Sequence, residues 1–165
     1  MTSTIEVQPG ARDFDFLMGE WTVRNRMLRE RLTGSEEWVE FESMAAARPL
    51  PAGLGNEDLY CTDHDGGFVG MSFRFFDPET SLWSIYWADN RRPGALDPPV
   101  FGSFSGDRGF FLGEDTLDGR PILVRFLWAG VDTPMPRWEQ AFSDDGGETW
   151  ETNWIMDFRR ADVGR

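Results

Sequence analysis

The amino-acid sequence predicts an all-β fold: an antiparallel up-and-down β-barrel of about ten strands, entered through one short helical turn. Three observations carry this. Apolar and polar residues alternate with the strand period from Glu20 to the C-terminal end. Clusters of Gly, Asp and Pro punctuate that alternation at short, nearly even intervals. No segment keeps helical spacing for as much as about three turns. Tight turns between successive strands favour up-and-down order. The absence of an obvious sheet edge favours closure, since a closed barrel leaves no unpaired backbone row.

The elements follow in order. Residues 1–12 read as a flexible lead that includes Pro9-Gly10. Phe14, Leu17 and Met18 sit at helical spacing, and Gly19 stops them after one turn. In the first strand Trp21, Val23, Asn25 and Met27 alternate with Thr22, Arg24 and Arg26. After a break at Thr33-Gly34-Ser35, Val39, Phe41 and Ala45 alternate with Glu40 and Glu42. A Pro/Gly loop, 49–55, leads to a short strand at 58–62 and a turn at Asp65-Gly66-Gly67. Strands 68–76 and 81–88 flank Asp77-Pro78, where proline presets the turn. A longer loop, 89–99, precedes strands 100–105 and 109–116, with turns at Gly106-Asp107 and Asp118-Gly119. Strand 122–128, loop 131–136 and strands 137–143 and 150–159 complete a single domain over residues 13–160, and 161–165 form a tail.

Composition narrows the function classes. Eight tryptophans and fourteen phenylalanines supply large flat apolar surfaces that must either pack together or line a pocket. A net charge of −13 repels phosphate backbones and anionic lipid, so neither nucleic acid nor membrane is an expected partner. The same acidity keeps a tryptophan-rich protein in solution. All sixteen basic residues are arginine, which rules out lysine nucleophiles and Schiff bases. The single cysteine, Cys61, allows no internal disulfide and no cysteine-based zinc site within one chain. Met1–Arg12 has no apolar signal core, and no stretch approaches the ~20 apolar residues of a spanning helix. A cytoplasmic monomer or homodimer is the expectation.

The strongest local motif is Ser143-Asp144-Asp145-Gly146-Gly147-Glu148-Thr149-Trp150. It resembles the Asp-box hairpin of sialidases and other β-rich proteins, where the motif is structural. Asp145 accepts backbone N–H bonds across the turn, Gly147 takes a backbone angle that other residues resist, and Trp150 caps the hairpin. One copy does not make a propeller.

This turn suggests a register. If Phe142 faces Trp150, then Gln140 faces Thr152, Trp138 faces Trp154, and Phe126 faces Trp138. One face then carries Phe126, Trp128, Trp138, Phe142, Trp150, Trp154, Met156 and Phe158, with Gln140 and Thr152 set among them. That face points into the barrel, as a packed core or as the wall of a cavity with two orienting polar groups. The opposite face carries Arg125, Glu139, Asn153 and Asp157. Its plain reading is a surface row; turned inward, Arg125, Glu139 and Asn153 would be the best catalytic set in the chain, with Arg125 stabilising an oxyanion and Glu139 acting as a weak base. A one-residue slip exchanges the faces. The expected ligand-binding residues are Trp83, Tyr86, Trp87, Asp89, Phe126, Trp128, Trp138, Gln140, Thr152 and Trp154. Tyr86 and Asp89 are also acid–base candidates.

Gly19-Glu20-Trp21, just after a helical turn, resembles the Gly-x-Trp signature that opens the lipocalin barrel. The resemblance implies that Trp21 closes one end of the barrel beneath an arginine of the last strand, Arg159 or Arg160, by cation–π stacking. The stretches 13–21, Trp83-Ser84-Ile85-Tyr86-Trp87 and Trp138-Glu139-Gln140-Ala141-Phe142 through Trp154 are similar to a bacterial family of uncharacterised lipocalin-like, calycin-type proteins. That similarity covers residues 13–160 and implies the fold but no reaction.

The expected function is binding of a small hydrophobic or aromatic molecule in the barrel, with no cofactor and no metal. A cofactor-free enzyme in the same cavity is the alternative: a cyclase, isomerase, hydratase or lyase acting on a hydrophobic metabolite, with shape and proximity doing most of the work. A haem-binding sensor is the second alternative, since nitrobindin-like haem proteins share the architecture. Its axial ligand would have to be His64, which sits in the turn sequence Thr62-Asp63-His64-Asp65. No Gly-x-Ser-x-Gly elbow and no phosphate loop occurs, and Cys61 with His64 is a weak nucleophile pair. The loop Asp89-Asn90-Arg91-Arg92-Pro93 either is solvated surface or presents arginines to an anion at a barrel mouth.

Overall fold

In the computed structural model, which describes residues 9–162, the chain forms ten antiparallel strands closed into one barrel. The strands are β1 (Gly19–Leu28), β2 (Trp38–Pro49), β3 (Asn56–Thr62), β4 (Phe68–Asp77), β5 (Leu82–Asp89), β6 (Val100–Ser105), β7 (Arg108–Leu117), β8 (Arg120–Ala129), β9 (Arg137–Ser143) and β10 (Glu151–Arg160). Each pairs with its neighbours in sequence, and β1 also pairs with β10, so the order is up-and-down throughout. Helical structure among the described residues is confined to three lone 3-10 turns. This is consistent with a lipocalin-like fold. Of the expected lead at 1–12 and tail at 161–165, residues 1–8 and 163–165 lie outside the described residues, and 9–12 form a turn.

Alternation decides what faces inward. Trp21, Val23 and Asn25 on β1 are buried while Arg24 between them is exposed. Side-chain size is distributed unevenly around the barrel. Strands β8 to β10 point Trp128, Trp138 and Trp154 inward. Across the cavity from them the wall carries small residues, Ala45 on β2 and Ser72 on β4. A barrel filled by large residues on both sides would have no interior space; this pairing leaves some.

One end is plugged. The 3-10 turn Asp15–Leu17 tucks Phe14 and Leu17 into the barrel floor, each 1% exposed. Phe14 meets Trp83 and Phe104 edge to face, both at 4.9 Å between ring centres. The Trp21 indole N–H donates to the Leu17 carbonyl at 2.7 Å. Arg160 stacks over Trp21 at 3.8 Å and donates to the Phe16 and Met18 carbonyls. Gly19 is needed here twice over. Its φ is +109°, and a β-carbon would come within 2.7 Å of the Arg160 guanidinium.

The hairpin motif forms as a local scaffold. Asp145 accepts from the Thr149 amide at 2.9 Å and from the Ser143 hydroxyl at 2.7 Å, and the Trp150 indole donates to the Gly147 carbonyl.

The register beyond that turn differs from the expected one. Phe142 pairs with Glu151 rather than Trp150, Gln140 with Trp154 rather than Thr152, and Trp138 with Met156 rather than Trp154. Phe126 pairs with Gln140, and Trp138 with Trp128. The pairing is already offset by one residue at the turn, where Glu151 faces Phe142, and a β-bulge between Thr152 and Trp154 adds a second by placing one extra residue, Asn153, on β10. Residues C-terminal to the bulge keep their expected face, and those N-terminal to it exchange faces. Trp150 therefore lies beside Arg125, whose guanidinium sits 4.6 Å from its ring.

Candidate functional site

The unplugged part of the barrel encloses a cavity of about 490 Å3. Its deep wall is mainly apolar, formed by Ile85, Val100, Val124, Trp128, Met156 and Phe158. Its middle is aromatic, formed by Trp87, Phe126, Trp138, Phe142, Tyr60 and Trp154. Its mouth is charged, with Arg31 from the β1–β2 connection, Arg91, Arg92 and Asp97 from the loop after β5, and Asp115 near the end of β7.

Of the expected ligand-binding residues, Trp87, Asp89, Phe126, Trp128, Trp138, Gln140 and Trp154 line this cavity. The other three do not. Trp83 points inward but is sealed below the cavity by Phe14 and Phe76, its indole donating to the Gly10 carbonyl at 3.0 Å. Tyr86 alternates with the inward Ile85 and Trp87, so it lies on the outer face, edge-on to Phe75. Thr152 pairs with Ala141 on the outer face because of the bulge.

The expected catalytic set is split by the same bulge. Arg125 stays on the outer face opposite Ala141, with its Nε buried and unpartnered. Glu139 also stays outside, 3.9 Å from Arg137. Asn153 turns inward, is fully buried, and accepts a hydrogen bond from the Gln140 amide at 2.8 Å. These three residues do not form one site. His64 stacks flat on Phe41 at 4.0 Å beside the β3–β4 turn and is not part of the cavity wall. Among the described residues no group of three His, Cys, Asp or Glu side chains is placed to hold a metal ion.

Three polar arrangements border the cavity. At its centre, Asn25 is fully buried and its Oδ1 accepts from the Tyr60 hydroxyl at 2.9 Å and the Trp154 indole at 3.0 Å. Its amide donates to Ser43 Oγ at 2.8 Å. Burial pushes the Tyr60 phenol up to about 12, against the pull of Ser43, the Arg91 charge and Asn25, so Tyr60 stays a neutral donor.

Deeper in the wall lies a buried ion pair. Arg74 donates to Asp58 at 2.7 Å and to Asn56 at 3.0 Å, and its guanidinium sits 5.1 Å from the Phe14 ring. The Arg74 Nε has no partner. Such a pair survives burial only because both charges are held by further hydrogen bonds; Asp58 also accepts from the Ser72 amide.

At the mouth, Asp89 has a fully buried side chain gripped at two points by Arg91, each at 3.0 Å. It also accepts the Trp87 indole N–H at 3.0 Å. Arg91 therefore holds the Asp89 carboxyl down to about 2, with help from Trp87 and the Arg91 amide and against the opposing effect of burial. Arg91 lies flat on Phe68 at 3.7 Å.

Sequence reasoning missed Arg31, Asp58, Tyr60 and Arg74. The period of two held a signal for Arg74, which falls in phase with the inward Phe68, Gly70 and Ser72. It held one for Asp58 and Tyr60 too, once Asn56 is recognised as the start of β3. Arg31 lies between strands and carried no such signal.

Among the described residues no helix is long and apolar enough to cross a membrane. No protein-family model matches the chain, and no curated protein matches it.

Proposed function

We propose that the chain binds a small hydrophobic or aromatic molecule inside the barrel. The observation that carries this reading is the cavity of about 490 Å3, whose middle is walled by Trp87, Trp138 and Trp154. That volume falls within the range of small-molecule sites. Two of the three indoles are anchored at their N–H ends, Trp87 on Asp89 and Trp154 on Asn25. Their hydrogen-bonding demand is met by the protein, which leaves ring surface to an apolar guest. Fixed rings also lower the ordering cost of binding.

The test is a tryptophan-fluorescence titration of the purified protein with aromatic and aliphatic probes, 1-anilinonaphthalene-8-sulfonate among them. Saturable binding that Trp138→Ala weakens by about tenfold supports the reading. The absence of saturable binding by every probe overturns it.

A cofactor-free reaction in the same cavity is the second reading, and the buried Asp58–Arg74 pair on the wall favours it. It would run on Asp58, Arg74 and Tyr60 rather than on Arg125 and Glu139. Asp58→Asn would then abolish turnover while leaving ligand affinity in place; equal loss of both would refute it.

A further inference from the structure

The cavity is mainly apolar at depth, where its one ion pair, Asp58–Arg74, is closed on itself, and it is cationic at one point of its rim that has no ion-pair partner among the described residues. Arg92 is paired with Asp97 at 2.6 Å, and Arg91 with Asp89 at 3.0 Å. Arg31 has no such partner among the described residues. It lines the cavity beside Phe142, its guanidinium 5.5 Å from that ring. Glu151 is an opposing charge close enough to act on Arg31, yet it makes no ion pair with it and accepts the Leu32 amide at 2.7 Å. The guanidinium of Arg91 lies close enough to repel Arg31. Only the Nε and one terminal nitrogen of Arg91 are taken up by Asp89. Two guanidinium groups thus converge on the mouth of a hydrophobic hollow with N–H donors to spare.

A partly desolvated cation without a counter-ion is costly, and a second cation beside it adds to the cost. An anion seated between them removes both penalties and gains charge-assisted hydrogen bonds in a fork geometry suited to carboxylate. The overall charge of −13 argues against long-range steering of an anion to this site, so the attraction must be local.

Resting on the binding reading above, we infer that the ligand is an amphipathic carboxylate, held with its apolar body among the cavity tryptophans and its carboxylate at Arg31 and Arg91. Among the described residues deep in the barrel the one cation lining the cavity, Arg74, is paired with Asp58 and bonded to Asn56, so it competes little for that group.

Calorimetric titration with two matched pairs tests this: decanoate against decan-1-ol, and 2-naphthoate against 2-naphthylmethanol. The expected result is that the acid of a pair that binds does so at least about tenfold more tightly than its alcohol, the usual margin for hydrogen bonds to a charged group. Arg31→Gln should remove that preference and leave alcohol binding unchanged. Arg24→Gln, on the outer face, should change neither. Equal affinity for acid and alcohol overturns the inference while leaving the binding reading standing. So does a preference that survives Arg31→Gln, or an equal loss of acid and alcohol in that variant. If neither member of either pair binds, the binding reading and the inference fall together for these chemistries.

Discussion

The indole of Trp87 lies over Gly70, so close that a β-carbon on the glycine would come within 2.2 Å of the ring. On the inner wall Gly70 of β4 pairs with Asp89 and Trp87 of β5 pairs with Ser72, so the indole reaches diagonally across to the glycine and occupies the space its absent side chain leaves. Gly70→Ala therefore cannot be accommodated without moving Trp87 off its bond to Asp89. We expect a loss of about 1–3 kcal/mol, the usual cost of overpacking a filled interior, together with a shifted tryptophan emission. Urea unfolding of the variant measures the first and steady-state fluorescence the second; unchanged values for both would show that the ring is free to move.

Much of this barrel is legible in the sequence because period-two alternation is enforced by burial at nearly every strand. Where Trp21, Val23 and Asn25 alternate with Thr22, Arg24 and Arg26, the inner face follows directly. The strand near the Asp145 turn was harder. A bulge is a backbone irregularity with no residue signature of its own, and Thr-Asn-Trp carries none. It moved Asn153 inward and Thr152 outward, which dissolved the Arg125, Glu139 and Asn153 grouping. The interior charges were hidden for a different reason. Single-residue preference places Asp58 and Arg74 at the surface, and only the partners supplied by two neighbouring strands make their burial tolerable.

Asn25 joins four groups in a space with no water access: Tyr60, Trp154, Ser43 and the Val23 carbonyl. Replacing it with leucine leaves the Tyr60 and Trp154 donors without acceptors. The expected destabilisation is about 2–4 kcal/mol, because orphaned buried donors cost more than the bonds themselves contribute. Chemical denaturation should show a lower midpoint at an unchanged slope. A variant as stable as the parent would mean that the network relaxes onto other acceptors.

Arg160 fastens the floor of the barrel by stacking on Trp21 and donating to two carbonyls of the plug. Arg160→Ala should cost about 1–2 kcal/mol and speed hydrogen exchange at residues 14–18 before exchange elsewhere. Arg160→Lys should rescue little, since an ammonium neither stacks flat nor forks between two carbonyls. Rescue by lysine would indicate that charge alone holds the plug.

Asp89 makes the protein acid-sensitive in a definite window. Its carboxyl titrates at about 2 in the folded chain, chiefly because Arg91 grips it. In the unfolded chain an aspartate titrates near about 3.9. As acid is added, the unfolded chain takes up this proton first, so the stabilisation is complete above about pH 4 and drains away as the pH falls toward about 2. With the side chain fully buried, the amount is about 2 kcal/mol. Asp89→Asn should lower stability at neutral pH and flatten the decline across that window. Asp145, held down to about 2 by Thr149 and Ser143, titrates in the same range. An Asp145→Asn control therefore separates the hairpin's share from the mouth's. Parallel stability curves for the parent and Asp89→Asn between pH about 4 and about 2 would show that the Arg91 grip carries no net stability.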